Sequence, residues 1–233
     1  MLSPETLVTP VAWRNPAFLT RMALTVDHLS NGRLELGLGA GTSPEDDCTY
    51  SMTGIVPISD KERVNRFKEM VEIVDQLLTH QVSSYEGEHY QLKDTAMSPG
   101  PIQQPRPPLV LAALGPRMLK IAAQYADTWN SFGGFPGMPA AEAFRITKQR
   151  NEMINTYCAE IGRDPGDIRR SLLIFPSVMD DAFDSLHKFE DIVGSYCEIG
   201  ISEFIFYYPN ADQIPVFEKI AGEVIPNLKT TSS

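Results

Sequence analysis

The 233-residue chain has little cysteine and no pattern that would use it. Cys48, Cys158 and Cys197 are the only three, and none stands in a CxxC pair. An odd count without metal-ligand spacing excludes a closed disulfide framework and a cysteine zinc site. Cys158 and Cys197 fall within helical patterns and read as buried bystander thiols. The four histidines, His28, His80, His89 and His187, form no HxH or HExxH pattern, so a zinc enzyme has no support. No GxSxG is present, and no Ser/His/Asp order stands out. No run of 18 apolar residues occurs, which argues against a membrane-spanning helix. The first residues, MLSPETLVTPVAWRNP, lack a basic segment followed by an apolar one and do not read as a signal peptide. The cytoplasm is therefore the default expectation. Positive charge is also scarce: 20 Lys and Arg against 30 Asp and Glu, a net charge of −10. The basic residues are scattered, so a nucleic acid is not an expected partner.

What is present is an ordinary globular composition, 42% hydrophobic and 21% charged, of a length that suits one barrel-type domain. Strand and helix signals alternate. A β-branched run at 5–11 is followed by a helix that opens at Asn15-Pro16 and stops at Asn31-Gly32. Residues 33–41 read as a strand running into glycines, and 42–57 as a polar loop. A helix capped by Ser59 or Asp60 carries Val64, Phe67, Met70, Val71, Ile73, Val74, Leu77 and Leu78 on its apolar face. A hairpin is expected at 82–92 and an extended proline-rich segment at 97–108. Strands follow at 108–114, 127–133, 168–178 and 202–209. Helices are expected from Gly115-Pro116, over 139–161, over 183–198 and over 215–228. Six strands in βα order predict a parallel sheet with helices outside it, either an open doubly wound sheet or part of a barrel.

In both architectures ligands gather at the carboxyl ends of the strands. Ala112-Ala113-Leu114-Gly115-Pro116-Arg117 turns a strand into a helix through small residues. Its free N–H groups make a candidate anion site, to which Arg117 adds a charge; a plain turn with Pro at the first helical position is the alternative. Gly37-Leu38-Gly39-Ala40-Gly41 is GxGxG without a following helix, not a dinucleotide fingerprint. It reads as a strand end kept small for a flat ligand, or equally as tight packing. Glu45-Asp46-Asp47 reads as a solvated loop or helix start, and His28 as a partner of its helix C-terminus.

Several motifs, in order, resemble the luciferase-like monooxygenase superfamily, most closely its deazaflavin (F420) branch. They are Thr6-Leu-Val-Thr-Pro-Val-Ala-Trp-Arg-Asn-Pro16, Leu24 to Arg33, Leu36-Gly-Leu-Gly-Ala-Gly41, Glu62-Arg63-Val64, Tyr85 to Tyr90, Pro105-Arg-Pro-Pro108, Leu114-Gly-Pro-Arg117 and Ala126-Asp-Thr-Trp-Asn130. The similarity covers about residues 5–228. It implies a single (β/α)8 barrel domain over 1–233 in which the TLVTP strand is the third, so that strands three to eight are present and the first two βα units are not. It also implies coenzyme F420, or alternatively FMN, at the strand ends. The expected reaction is hydride transfer to or from a small organic substrate, or with FMN an oxygenation. The Thr6-Leu7 bond matches a site of a non-proline cis peptide behind the ring. Ala40 and Gly41 should flank the ring or its side chain, and Ala113, Leu114, Gly115 and Arg117 should hold a phosphate. Trp129 is expected either to wall the pocket or to sit in the core. No catalytic acid or base is assigned, because the first two strands, which in this family usually supply the residues facing substrate and ring, are not in this sequence; Thr42 stands where some relatives carry a catalytic acid, so that chemistry is not expected either. The rival readings are a silent flavin-binding or structural barrel and a sugar-phosphate enzyme on another barrel. Open barrel edges predict that the chain aggregates or pairs with a second copy as a homodimer.

Overall fold

The computed structural model describes residues 3–43, 45–135, 137–174 and 182–228. Its local signals act as the sequence predicts. The Asn15 side chain accepts the N–H groups of Ala17 (3.0 Å) and Phe18 (3.3 Å), and Pro16 occupies the first position of α1 (Pro16–Leu29). That cap sets the helix start because these donors have no partner within the helix. Asn31 and Gly32, both at positive φ, end it. Ser59 caps α3 (Asp60–Thr79) through the N–H of Glu62, and Phe67, Met70, Val71, Ile73, Val74, Leu77 and Leu78 of this helix are buried.

Six strands form one sheet in chain order: β1 (Thr9–Pro10), β2 (Leu36–Gly39), β5 (Leu109–Ala112), β6 (Thr128–Phe132), β7 (Arg169–Ile174) and β8 (Glu203–Phe206). Strands β1 and β2, β2 and β5, and β7 and β8 pair in parallel. A doubly wound sheet reverses its strand order at a switch point; this order never reverses, which is the progression of a barrel wall. The two-stranded hairpin, β3 (Val82–Glu86) and β4 (Gln91–Ala96), stands apart as an antiparallel pair.

The chain divides into two compact units. The first runs to Trp129 and includes Ile154–Ile168; the second comprises Asn130–Met153 and the chain from Arg169 onward. In the first, Leu36, Leu38, Leu109, Val110 and Leu111 lie under α3 and α4 (Pro116–Tyr125) among the fully buried apolar residues. Glu69 on α3 is also buried, and its carboxylate accepts the N–H groups of Glu88, His89 and Tyr90 at the hairpin turn. In the second, Phe183, Phe189, Val193, Ile220 and Val224 form a core with Phe204, Phe206 and Phe217 around α6 (Leu186–Glu198), which follows α5 (Ala140–Glu160) in the chain. There the buried Arg170 donates to Asn151 Oδ1 (2.8 Å), whose amide donates to the carbonyl of Ile199 (2.6 Å).

Several boundaries differ from the sequence expectation for physical reasons. The first strand is reduced to Thr9–Pro10, although Glu5 still bridges Glu35, because the pairing is interrupted at Leu7 and Val8. The loop after β2 contains a short helix, α2 (Thr49–Thr53), started by an N–H bond from Thr49 to Asp47. Helix α6 starts at Leu186 rather than 183 because Ser185 caps it through the N–H of Lys188. The last helical segment widens into a π turn at Ile220–Val224. Cys158 is buried as expected, but Cys197 is exposed, on the outward side of α6. The expected end of the 168–178 strand lies partly outside the described residues. No described helix is long and apolar enough to cross a membrane.

Candidate functional site

The carboxyl ends of β1, β2 and β5 belong to the first unit and meet by register. Thr9 pairs with Leu38 and Pro10 with Gly39, which in turn pairs with Ala112. Ala40-Gly41 and Ala113-Leu114-Gly115 therefore leave the sheet side by side. Thr6 and Leu7 do not join them. Thr6 follows Glu5, which bridges Glu35, and spends its hydroxyl on Gly37, accepting its N–H (2.9 Å) and donating to its carbonyl (3.2 Å).

The glycines of β2 are small for two different reasons. A Cβ on Gly37 would overlap the Thr6 carbonyl, and one on Gly39 would lie 2.5 Å from Val8 Cγ2. These two are required by the close approach of β1, so tight packing explains them and a flat ligand need not. Gly41 is required by its φ of +80°. The non-proline cis peptide joins Leu7 and Val8, not Thr6 and Leu7. The one-residue correction follows from Thr6, whose N–H still reaches the carbonyl of Glu35 and whose hydroxyl is fixed on Gly37, so the chain departs from the strand only after it.

At the end of β5, Gly115 precedes α4 with φ −88° and ψ 160°, and no side chain caps the helix. Pro116 has no N–H, and the first intrahelical bond runs from Leu119 to Gly115. The N–H groups of Arg117 and Met118 are thus without a partner inside the helix. A Cβ on Gly115 would meet nothing within 4 Å, so the space over this turn is open. Arg117 is exposed and donates to Asn65 Oδ1 on α3 (2.5 Å). Trp129 is fully buried, and its indole N–H donates to the Ala113 carbonyl (2.9 Å). It is a core residue that fixes the strand end, not an exposed pocket wall.

Two donors near these strand ends escaped the sequence reading. Arg63, in the first turns of α3, has a side chain only 9% exposed. Its Nη1 donates to the Gly41 carbonyl (2.5 Å) and its Nη2 to Asp60 (2.6 Å), while Nε is buried without a partner. Trp13 ends the 3-10 turn Val11–Trp13 that follows β1 and packs against α3. Its indole N–H is likewise buried without a partner. Arg63 could have been found from spacing. It stands four residues before Phe67 on the apolar face of α3, where a charge needs a reason.

Other sequence candidates have local explanations. Asp46 accepts the Ser43 hydroxyl, and Asp47 accepts the N–H of Thr49; bonds from the Thr49 hydroxyl first and its N–H second lower the Asp47 pKa. His28 Nε2 meets the Gly100 carbonyl at 2.9 Å. Among the described residues no group of three or more His, Cys, Asp or Glu could hold a metal ion. Two surface clefts, of about 540 and 520 Å³, lie at the other end of α3 and beside α1; Met97 lines both, and none of the strand-end residues lines either.

A family profile described as luciferase-like monooxygenase matches residues 6–219. The pyrimidine monooxygenase of Acinetobacter baylyi is 33% identical over 162 residues, which cover 68% of this chain and 40% of that protein. The F420-dependent glucose-6-phosphate dehydrogenase of Beutenbergia cavernae is 22% identical, with 98% of this chain and 79% of that one covered. Among solved structures, an F420-dependent secondary alcohol dehydrogenase in complex with an F420-acetone adduct superposes with a TM-score of 0.75 at 18% identity, covering 94% of this chain and 78% of that one.

Proposed function

Because the chain belongs to the luciferase-like monooxygenase family, we propose that it is an oxidoreductase holding coenzyme F420, or alternatively FMN, at the carboxyl ends of β1, β2 and β5. The observation that carries this reading is the set of unused donors there: Trp13 Nε1, Arg63 Nε, and the first N–H groups of α4 beneath an open Gly115. Buried donors without acceptors are uncommon in native proteins and call for an explanation. A ligand rich in carbonyl and phosphate oxygens fits them. F420 is preferred because two of the proteins similar to this chain are F420-dependent.

The residues divide the work. The N–H groups of Arg117 and Met118, with the positive end of the α4 dipole, would hold a phosphate, and the Arg117 side chain would add charge from the rim. Ala113 and Leu114 would carry the backbone that approaches it. Ala40 and Gly41 would flank the ring. Thr6 and Leu7 lie back from the strand ends, and Thr6 would act on the site only by tying β1 to β2 through the Gly37 clamp. When bound, the cofactor supplies hydride transfer at its ring; the protein orients it against a small organic substrate and excludes water.

The test is titration of the purified chain with F420 and, separately, with FMN, following ring fluorescence. Micromolar binding of one, about −8 kcal/mol, is the expected result. Saturation by neither at about 1 mM would overturn the reading and favour a silent barrel. A homodimer is part of the same proposal. Phe18, Met22, Val26 and Leu29 of α1 are 70%, 51%, 39% and 82% exposed and repeat at helical spacing, an apolar stripe suited to a second copy. Light scattering should give the dimer mass, and a Leu29→Lys, Phe18→Lys double variant should give the monomer.

A further inference from the structure

A guanidinium at the position of Arg63 is costly to the scaffold. Its neighbours along the same face of α3, Phe67 and Met70, are fully buried, and an apolar side chain there would continue that face. The ion pair does not explain the choice. Asp60 has a side chain 87% exposed, and a pair with so exposed a partner is screened by water. What Arg63 does instead is hold the carbonyl of Gly41, a residue whose left-handed backbone determines where Ala40 and Gly41 lie. A third edge of its planar fork, Nε–H, remains without an acceptor.

We propose that Arg63 is the positioning residue of the cofactor site: it fixes the Ala40-Gly41 strand end against the ring and keeps one buried N–H for an acceptor on the ligand. The inference rests on the function proposed above and adds a residue that acts through Gly41. A lysine can reach either the Gly41 carbonyl or Asp60, but it lacks the fork that serves three directions.

The experiment uses the full chain and three variants, Arg63→Gln, Arg63→Lys and Asp60→Asn. Three readouts are taken: the Kd for F420 and for FMN, the visible circular dichroism of the bound ring, and amide hydrogen exchange of residues 38–43 in the ligand-free protein. Arg63→Gln should weaken binding about tenfold, change the dichroism and speed exchange at Gly41 and Thr42. Arg63→Lys should restore part of the affinity, and Asp60→Asn should stay within about twofold of the parent. Should Arg63→Gln fold poorly, Arg63→Lys read by exchange and dichroism carries the test. The proposal is overturned if Arg63→Gln melts earlier yet binds with the parent Kd and spectrum, since Arg63 would then be only a tie between α3 and β2. Unchanged exchange at 38–43 overturns it as well. If the parent chain binds neither F420 nor FMN, the proposed function fails and takes this inference with it; the exchange data then still report whether Arg63 orders the strand end.

Discussion

The two ends of the strands in the first unit are built to opposite rules. At the amino ends three charges, Arg106, Asp127 and Asp27, are hydrogen-bonded to the scaffold. Arg106, just before β5, donates to Asp75 (2.7 Å), to Asp127 (2.5 Å) and to the carbonyls of Pro107 and Tyr125. Asp127, just before β6, also accepts the N–H of Leu109. Asp27, fully buried at the end of α1, accepts from the backbone of Ile102 and from the side-chain amide of Gln103. At the carboxyl ends, Trp13 Nε1 and Arg63 Nε have no acceptor and α4 has no cap. One end ties its charges into a network that sets register, although the Thr128 hydroxyl at the start of β6 is buried without a partner. The other keeps donors that the fold itself does not use, and such donors cost stability unless something outside the chain meets them. Stability should therefore reside in the first end and ligand affinity in the second.

The largest effect that tests this division is Arg106→Met. Burial works against the Arg106 charge, but the bonds and charges of Asp127 and Asp75 outweigh it, and its pKa is raised. Removing it leaves the Asp75 and Asp127 carboxylates without their cation; both are partly exposed, 28% and 41%, so the loss is about 2 kcal/mol. Urea denaturation should show that loss, while the folded fraction binds cofactor with the parent Kd. A changed Kd at equal folding would mean that the two ends are coupled.

Next comes a pair of glycines. Gly39→Ala places a methyl 2.5 Å from the side chain of Val8 and should cost about 2 kcal/mol by overpacking. Gly115→Ala enters open space at a φ of −88° that alanine accepts, so stability should change by less than about 0.5 kcal/mol or improve. Its methyl would stand over the uncapped N–H groups of α4, so cofactor binding should weaken. Thermal melts and titrations of both variants make a crossed comparison. If Gly115→Ala binds as well as the parent, the α4 start is an ordinary turn.

The same division explains how much the sequence made legible. Strands, helices and their caps are local properties, and the periodicity of α3 or the Asn15-Pro16 start could be read directly. Several recognisable motifs proved to be scaffold: the Asp27 segment, Pro105-Arg106-Pro107-Pro108 and Ala126-Asp127 supply the network at the amino ends. The candidate site was legible only as a list of residues at the strand ends, from Ala40-Gly41 to Gly115 and Arg117. Whether Gly37 is small for a ligand or for a neighbour depends on how closely β1 approaches β2, a separation of some thirty residues along the chain. The displacement of the cis bond to Leu7 and Val8 depends on the same contact. Arg63 becomes a site residue only when α3 is laid against the Gly41 turn.

The sharpest probe of the open end is a substitution at the turn after β1. Trp13→Phe keeps an aromatic ring in the turn after β1 and deletes an indole N–H that has no partner in the protein. Losing an unsatisfied buried donor is favourable and losing part of the ring is not, so the net change should stay within about 1 kcal/mol. Trp129→Phe is the control, because its N–H is bonded to the Ala113 carbonyl and its loss leaves a buried acceptor unmet. The two variants should separate by readout: Trp129→Phe lowers the melting temperature, and Trp13→Phe raises the Kd for the cofactor about fivefold, the worth of one hydrogen bond of about 1 kcal/mol. If Trp13→Phe leaves the Kd unchanged, its donor does not face the ligand, and the case for the strand-end site falls back on Arg63 and α4 alone.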